Sequence, residues 1–499
     1  MTQPGTEPNP LRVAIVGSGP AAFYAADHLF KQPGLTAEVD MFDRLPTPFG
    51  LVRGGVAPDH QKIKSVTKSY DQIAANPHFR FFGNVEFGKH VTLSDLRGHY
   101  HQILYATGAQ TDRRMGIPGE DLEGSHPATE FVAWYNGHPD YHGLKFDLSQ
   151  ERVAVVGIGN VAIDVARILC LTPEELAKTD MADYALEALS KSKVKEVYLL
   201  GRRGPAQAAF TNPEVKEVGE LADADAVVRP EEAELDDLSR AELQKINDRA
   251  TVKKVEILQG YARRGPGGKT RKLFIRFLVS PTELTGDGNG RVSKMRLVKN
   301  VLVATDSGTI SPKATDQFEE LPVGLVFRSV GYRGVPLPEV PFHERWGVIL
   351  NETGRVLDPD SKQHRVGEYT SGWIKRGPSG VIGTNKQDSV ETVACMLEDL
   401  AKGSILQPAR ADAASAGARD AIAIIVDFEL AQRNLAAARS YLHALEEPPE
   451  ALARARQPQY FSYADWLKLD ALEIEKGKAS GRPRVKFTCV AEMLKAIGR

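Results

Sequence analysis

Two stretches of this chain space their glycines to suit a phosphate better than a side chain. Val13-Ala14-Ile15-Val16 runs into Gly17-Ser18-Gly19-Pro20-Ala21-Ala22. Val153-Ala154-Val155-Val156 runs into Gly157-Ile158-Gly159-Asn160-Val161-Ala162. In each, the first glycine allows a tight turn, the second lets backbone approach a pyrophosphate, and the alanine lets the next helix pack closely on the strand. The helix start then aims free N–H groups and a positive dipole end at the phosphates. Gly17, Gly19, Pro20 and Ala21 are expected at one dinucleotide. Gly157, Ile158, Gly159, Asn160 and Val161 are expected at another. A structural turn between strand and helix is the plainer alternative for each.

The two motifs lead into strands that end differently. After the first, the apolar run Glu38–Asp43 arrives about twenty residues on, where an acid meets a ribose hydroxyl. Asp43, at the end of that run, is the expected acid, because Asp40 would point sideways from mid-strand. After the second, an extra helical segment, Pro173–Ser192, delays the strand Val194–Gly201, which ends in Arg202-Arg203. A carboxylate there would repel a 2′-phosphate, whereas a guanidinium accepts one with paired, charge-assisted hydrogen bonds. The second site is therefore expected to prefer NADP(H) to NAD(H), unless the two arginines are only solvated in a turn.

The supporting elements have patterns of their own. Apolar, β-branched runs before each glycine pair are buried strands. Leu45–His60 carries too many prolines and glycines for a regular element, and a long loop of that kind is usually functional or packed. A helix is expected over Lys62–Ala75, then short strands at Phe79–Phe82 and Val85–Phe87. The run Ile103–Ala109 ends in Ala106-Thr107-Gly108. Thr107 and Gly108 either approach the first dinucleotide from behind or mark a buried strand with a glycine stop. Thr211–Thr251 looks like acidic surface helices. Val255–Val303 reads as strands around a basic loop, Arg263–Lys272. Gly324–Tyr332 is a strand that leads the chain back to the first domain. The glycine-rich stretch Tyr369–Asn385 precedes a helix at about Lys386–Leu400, and Trp373 offers a ring surface near it or sits in the core. Gly403–Ala418 reads as a link to two amphipathic helices. A further helix is expected at Tyr460–Lys476, and Arg482-Pro483-Arg484-Val485-Lys486 reads as solvated.

At 499 residues the chain should hold two or three domains, and its formal charge of −2 points to neither nucleic acid nor membrane. Three cysteines, Cys170, Cys395 and Cys489, lie far apart, without a CxxC pair, a metal-ligand cluster or a disulfide framework. That usage suits a reducing cytoplasm and argues against a flavin-dependent disulfide reductase. No secretory signal is expected in Met1–Pro10, and no apolar run is long enough to span a bilayer. A monomer is the simplest assembly.

Several blocks occur together: the glycine motifs, Val56-Ala57-Pro58-Asp59-His60, Gly201-Arg202-Arg203-Gly204-Pro205, and Gly372-Trp373 with Gly377-Pro378. In these the chain resembles the adrenodoxin reductase family, including its bacterial NADPH–ferredoxin reductases, over roughly the first 400 residues. The resemblance implies an α/β fold with two Rossmann-like dinucleotide-binding domains, glutathione-reductase-like. The NADP domain (109–330) is inserted into a discontinuous FAD domain (1–108 and 331–499), with a helical extension from about 403. It implies FAD at Ala21, Asp43, Leu51, Phe87, Trp373, Gly380, Val381 and Ile382. It implies NADP(H) at Ile158, Asn160, Val161, Arg202, Arg203, Glu214 and Gly380. His60 and Glu214 are the candidates for residues flanking the reacting rings, with no metal required. Two departures stand out: Asp43 replaces a frequent Glu, and Phe87 replaces a smaller residue. The implied activity is hydride transfer from NADPH to FAD, then single-electron transfers to a ferredoxin docked on a basic surface. The alternatives are another electron acceptor, or an NADP(H)-binding sensor without catalysis.

Overall fold

The two strands that precede the glycine pairs are covered on both faces, which explains why they read as continuous apolar runs. In the computed structural model, which describes residues 4–246, 248–408 and 459–499, Leu11–Val16 lies within a seven-stranded sheet. Its order is Asn351–Glu352, Arg355–Leu357, His364–Thr370, Gln102–Tyr105, Leu11–Val16, Ala37–Asp43, Phe79–Gly83. The last five are mutually parallel and the first two add antiparallel. Val13 and Ile15 face helices Pro20–Phe30 and Thr384–Ala401, while Ala14 and Val16 face a second cluster with Phe42, Phe82 and Tyr105. Strands from both ends of the chain thus share one sheet.

Arg152–Val156 lies within a second, wholly parallel sheet: Ser125–Pro127, Leu325–Arg328, Arg152–Val156, Glu196–Leu200, Arg271–Arg276, Ala224–Val228. Val153 and Val155 pack under helix Asn160–Cys170. Ala154 and Val156 pack against an antiparallel sheet of Val279–Gly286, Val292–Ala304 and Ile310–Pro322.

The structure departs from the sequence reading at several elements. Leu45–His60 contains a one-turn helix, Leu51–Gly54, entered through Phe49 and Gly50, both with positive φ (85° and 49°). The helix expected over Lys62–Ala75 is two, Gln61–Lys64 and Thr67–Ala74. Val85–Phe87 forms no strand; Phe87 makes only an isolated bridge to Val91. Ala224–Val228, within the acidic segment, is a buried parallel strand. Val255–Arg264 belongs to helix Arg249–Arg264, started by the Asp248 cap and burying Val255, Leu258 and Tyr261 at helical spacing. The expected link and helices beyond residue 408 lie outside the described residues up to 458.

Arg482–Lys486 is not solvated. Arg482 donates to the carbonyl of Thr179 (2.9 Å), to that of Met181, and to Asp183 (2.5 Å). Lys486 is buried beside Asp180. Both carboxylate oxygens of Asp180 also accept from Lys64, at 2.7 and 2.8 Å. The tail therefore ties the surroundings of the two large sheets together through one carboxylate shared by two buried lysines. Burial opposes ionisation of Asp180, yet Lys486 and Lys64 outweigh it and hold its pKa well below the usual value. Removing the shared partner of a buried pair costs about 3–5 kcal/mol. Asp180→Asn is therefore expected to lower the urea midpoint strongly. Breaking the exposed Lys31–Asp27 pair should cost no more than about 1 kcal/mol.

His101 gives the fold a pH dependence. Its Nδ1 accepts the Arg12 N–H at 3.0 Å, and burial pushes its pKa down from 6.5 to about 4. The unfolded chain then binds the extra proton between those values. The stabilisation is complete above pH 6.5 and lost as pH falls toward 4. Urea titrations at pH 7 and pH 5 should differ less in His101→Gln than in the parent.

Candidate functional site

At the first motif, Gly17 has φ of 103°, and a Cβ there would sit 2.5 Å from the carbonyl oxygen of Ala106. The chain before Thr107 and Gly108 therefore lies directly behind the turn. A Cβ on Gly19 would meet nothing within 4 Å. The helix that starts at Pro20 has no side-chain cap, so its first N–H groups are left for a ligand. The second motif repeats this. A Cβ on Gly157, with φ of 134°, would lie 2.2 Å from the Ser329 oxygen, Gly159 again faces open space, and helix Asn160–Cys170 is uncapped. In both turns the first glycine is required by the backbone behind it. The second leaves the room that a pyrophosphate needs.

Around the first turn, Asp43 stands at the end of its strand. Its Oδ2 accepts from Ser18 N (3.0 Å) and Ser18 Oγ (2.5 Å), and its Oδ1 from Leu45 N (2.9 Å). Burial raises its pKa despite those bonds. Asp40 instead pairs with Arg80 at 2.8 Å and accepts from Tyr100. Leu51 begins the one-turn helix behind Gly50, whose Cβ position is 3.1 Å from Gly19. Phe87 is buried with its ring 5.9 Å from that of Tyr105. A Cβ on Gly372 would be 2.7 Å from Ala21 Cβ, and Ser389 Oγ donates to the Ala21 oxygen at 2.9 Å. This brings the later glycine-rich stretch to the first motif. Within it, Trp373 Nε1 donates to Ser379 O at 3.1 Å and its ring lies 5.4 Å from Tyr332. Gly380 has a positive φ of 77°, Val381 is exposed and Ile382 is half-buried.

Around the second turn, the Ile158 carbonyl accepts from Ala209 and Phe210, and Asn160 Oδ1 accepts Thr211 N at 2.9 Å. These bonds draw the loop after Arg202 and Arg203 over the motif, past the half-buried Val161. Neither Arg202 nor Arg203 has a side-chain hydrogen bond or ion pair among the described residues, and Arg202 is exposed. Two guanidiniums without internal partners therefore stand beside the strand end.

Where the Asp59-His60 loop meets the helix Asn160–Cys170 and the helix Asn212–Val218, a compact group of charges forms. His60 Nε2 is 2.9 Å from Glu217 Oε2 and 3.0 Å from the NH2 of Arg167, and its Nδ1 is 3.9 Å from Asp164. Arg167 is ion-paired with Asp59 and Asp164. Glu214 accepts from Thr211 Oγ1, at the start of its own helix. Glu217, one turn further along, makes the contact to His60. Burial raises the pKa of both Asp164 and Glu214. For Asp59 burial is overcome by Arg167, and the pKa falls. Glu217, Asp164, Arg167 and Asp59 were not singled out in the sequence. The signal was the spacing of three, 164/167 and 214/217, which puts each pair on one helix face.

Residues 11–218 match the model of the pyridine nucleotide-disulphide oxidoreductase family. The chain is 44% identical over 490 residues to NADPH-ferredoxin reductase FprA of Mycobacterium tuberculosis, covering 97% of this chain and 99% of that one. It is 39% identical over 497 residues to the mitochondrial NADPH:adrenodoxin oxidoreductase of Homo sapiens, covering 98% and 92%. This chain belongs to the adrenodoxin reductase family. The solved structure of Mycobacterium tuberculosis FprA in complex with NADPH superposes with a TM-score of 0.86 at 43% identity, over 98% of this chain and all of that one. The adrenodoxin reductase family is one of oxidoreductases. Among the described residues no helix is long and apolar enough to cross a membrane, and no cluster of metal-ligating side chains occurs.

Proposed function

We propose that this chain is an NADPH–ferredoxin reductase, with FAD at the first glycine turn and NADP(H) at the second. The duplicate geometry supports this: two open second glycines under two uncapped helices, with His60 from the loop after the first meeting Arg167 on the helix of the second. The residues present fit both nucleotides. Ala21 and Ala22 would present N–H groups to the FAD pyrophosphate, while Asp43 keeps lone pairs for a ribose. Leu51, Phe87 and Thr107–Gly108 would border it through backbone, and Trp373 with Gly380–Ile382 would close the far end. Gly159, Asn160 and Val161 would hold the NADP(H) pyrophosphate, and Arg202 with Arg203 its 2′-phosphate.

When bound, the flavin takes two electrons as hydride and releases them singly, which suits it to stand between nicotinamide and an iron–sulfur protein. This chain's residues position and shield. His60, set against Glu217 and Arg167, would border the reacting rings, with Glu214 nearby. None of them has to carry a proton for the hydride step. A basic surface beside the crevice would receive an acidic ferredoxin and speed the encounter. We divide the chain into an FAD domain of 1–108 and 331–499 and an NADP domain of 109–330. We read it as a cytoplasmic monomer, with its three free cysteines suited to a reducing compartment.

A flavin assay of the purified protein separates this reading from a catalytically silent NADP(H) sensor. One FAD per chain, released on heat denaturation, is expected. Colourless, folded protein that binds NADPH would favour the sensor.

A further inference from the structure

Arg167 joins the helix that follows the second glycine turn to the loop that continues from the first, through a single buried side chain. It stands two turns into helix Asn160–Cys170, the helix whose start forms the second site, and its side chain is 4% exposed. Its guanidinium spans both oxygens of Asp59, with NH2 at 3.1 Å from Oδ1 and NH1 on Oδ2. The same NH2 reaches Asp164 Oδ1 at 3.0 Å and His60 Nε2 at 3.0 Å. Asp59 and His60 come from the loop that continues from the first site. The NH2 nitrogen has two hydrogens for these three acceptors, so its contact to His60 competes with those to Asp59 and Asp164, within a flat two-pronged pairing that a lysine ammonium cannot reproduce.

The contact to His60 is not passive. Its Nε2 faces a donor, Arg167 NH2, and a carboxylate oxygen, Glu217 Oε2 at 2.9 Å. One ring nitrogen carries either a proton or a lone pair, so it bonds one of these neighbours at a time. Arg167 stays charged and favours the lone pair, whereas Glu217 favours the proton. Asp164, 3.9 Å from Nδ1, and Asp59 and Glu214 nearby complete the charged surroundings. The orientation of the ring thus depends on where helix Asn160–Cys170 holds its guanidinium.

We infer that Arg167 is a positioning residue for hydride transfer, coupling the helix under the NADP(H) site to the orientation of His60. This rests on the assignment of His60 to the border of the reacting rings. The misplacement of a positioned group by about 1 Å costs on the order of 100-fold in rate.

The test is anaerobic stopped-flow on the FAD-loaded protein carrying Arg167→Lys. Flavin bleaching by NADPH should slow by about 10- to 100-fold, with the apparent Kd for NADPH changed less than about threefold. Reoxidation of dithionite-reduced enzyme by ferricyanide should be unchanged. In a His60→Ala background, Arg167→Lys should add less than about twofold, because the residues act as one unit. An undiminished effect in that background, a loss confined to Kd, or equal loss in both half-reactions would overturn the inference. Should Arg167→Lys not retain flavin, Asp59→Asn gives the same reading. It removes the charge and one of the two acceptor oxygens that anchor the guanidinium on the first-site loop, and leaves Arg167, His60 and Glu217 intact. Unslowed reduction in that variant would likewise overturn the inference. Parent enzyme that NADPH fails to reduce would instead remove the functional reading beneath it.

Discussion

Gly19→Val is expected to yield a folded protein that has lost its flavin, while Gly159→Val keeps its flavin and loses its response to NADPH. The reason is steric. Both glycines have ordinary φ values, −79° and −104°, so valine fits the backbone. Both Cβ positions point into open space, so nothing in the fold resists the side chain. What the methyl groups would fill is the room over the helix start, where a pyrophosphate must approach the N–H groups. Flavin absorbance of Gly19→Val should fall more than about tenfold, since a lost charge-assisted contact is worth about 1.5–3 kcal/mol. Far-ultraviolet circular dichroism should be unchanged. Gly17→Val and Gly157→Val are the contrast. Their Cβ atoms would overlap the oxygens of Ala106 and Ser329 at 2.5 and 2.2 Å, at φ values that exclude valine, and both should fail to fold. If Gly19→Val retains full flavin, the first turn is not the FAD site.

Replacing Arg202 and Arg203 together with alanine should erase the preference for NADPH over NADH. Neither guanidinium is engaged in the fold, so the substitution removes no internal partner and thermal stability should be unaffected. Each charge-assisted hydrogen bond to a phosphate contributes about 1.5–3 kcal/mol. The pair should therefore cost roughly 100- to 10,000-fold in kcat/KM for NADPH, most of it in KM, because the 2′-phosphate takes no part in the chemistry. Activity with NADH should change less than about threefold. Steady-state rates with both nucleotides decide it, and a matching loss with NADH would assign the arginines a structural role instead.

The strands and glycines were legible in the sequence because each carries its own local reason: burial on both faces, a forbidden Cβ, an uncapped helix. What escaped notice depended on partners far away in the chain. Ala224–Val228 is short and sits among acids, so its charge read as surface. Its place is the edge of a parallel sheet, beside Arg271–Arg276. Val255 and Leu258 resemble strand residues until the Asp248 cap shows where a helix starts. Arg482 and Lys486 read as solvated because the carbonyls of Thr179 and Met181 and the carboxylate of Asp180 lie some 300 residues earlier. The candidate site was half legible. His60 came from a recognisable block, but the glutamate that touches it is Glu217, one helical turn beyond Glu214, and no local rule distinguishes the two. Nothing local to its own helix marks Arg167. Only the return of the His60 loop against that helix gives it a role.

Electrons are expected to pass from NADPH through this protein to an iron–sulfur partner, and anaerobic absorbance spectroscopy follows both transfers. The purified protein is treated with one equivalent of NADPH, then with an oxidised 2Fe–2S or 4Fe–4S ferredoxin. NADPH is expected to bleach the flavin bands far faster than NADH does, and ferredoxin is then expected to restore them as its own absorbance falls. Flavin bands that NADPH leaves untouched, or that ferredoxin cannot restore once they are bleached, would contradict the claim.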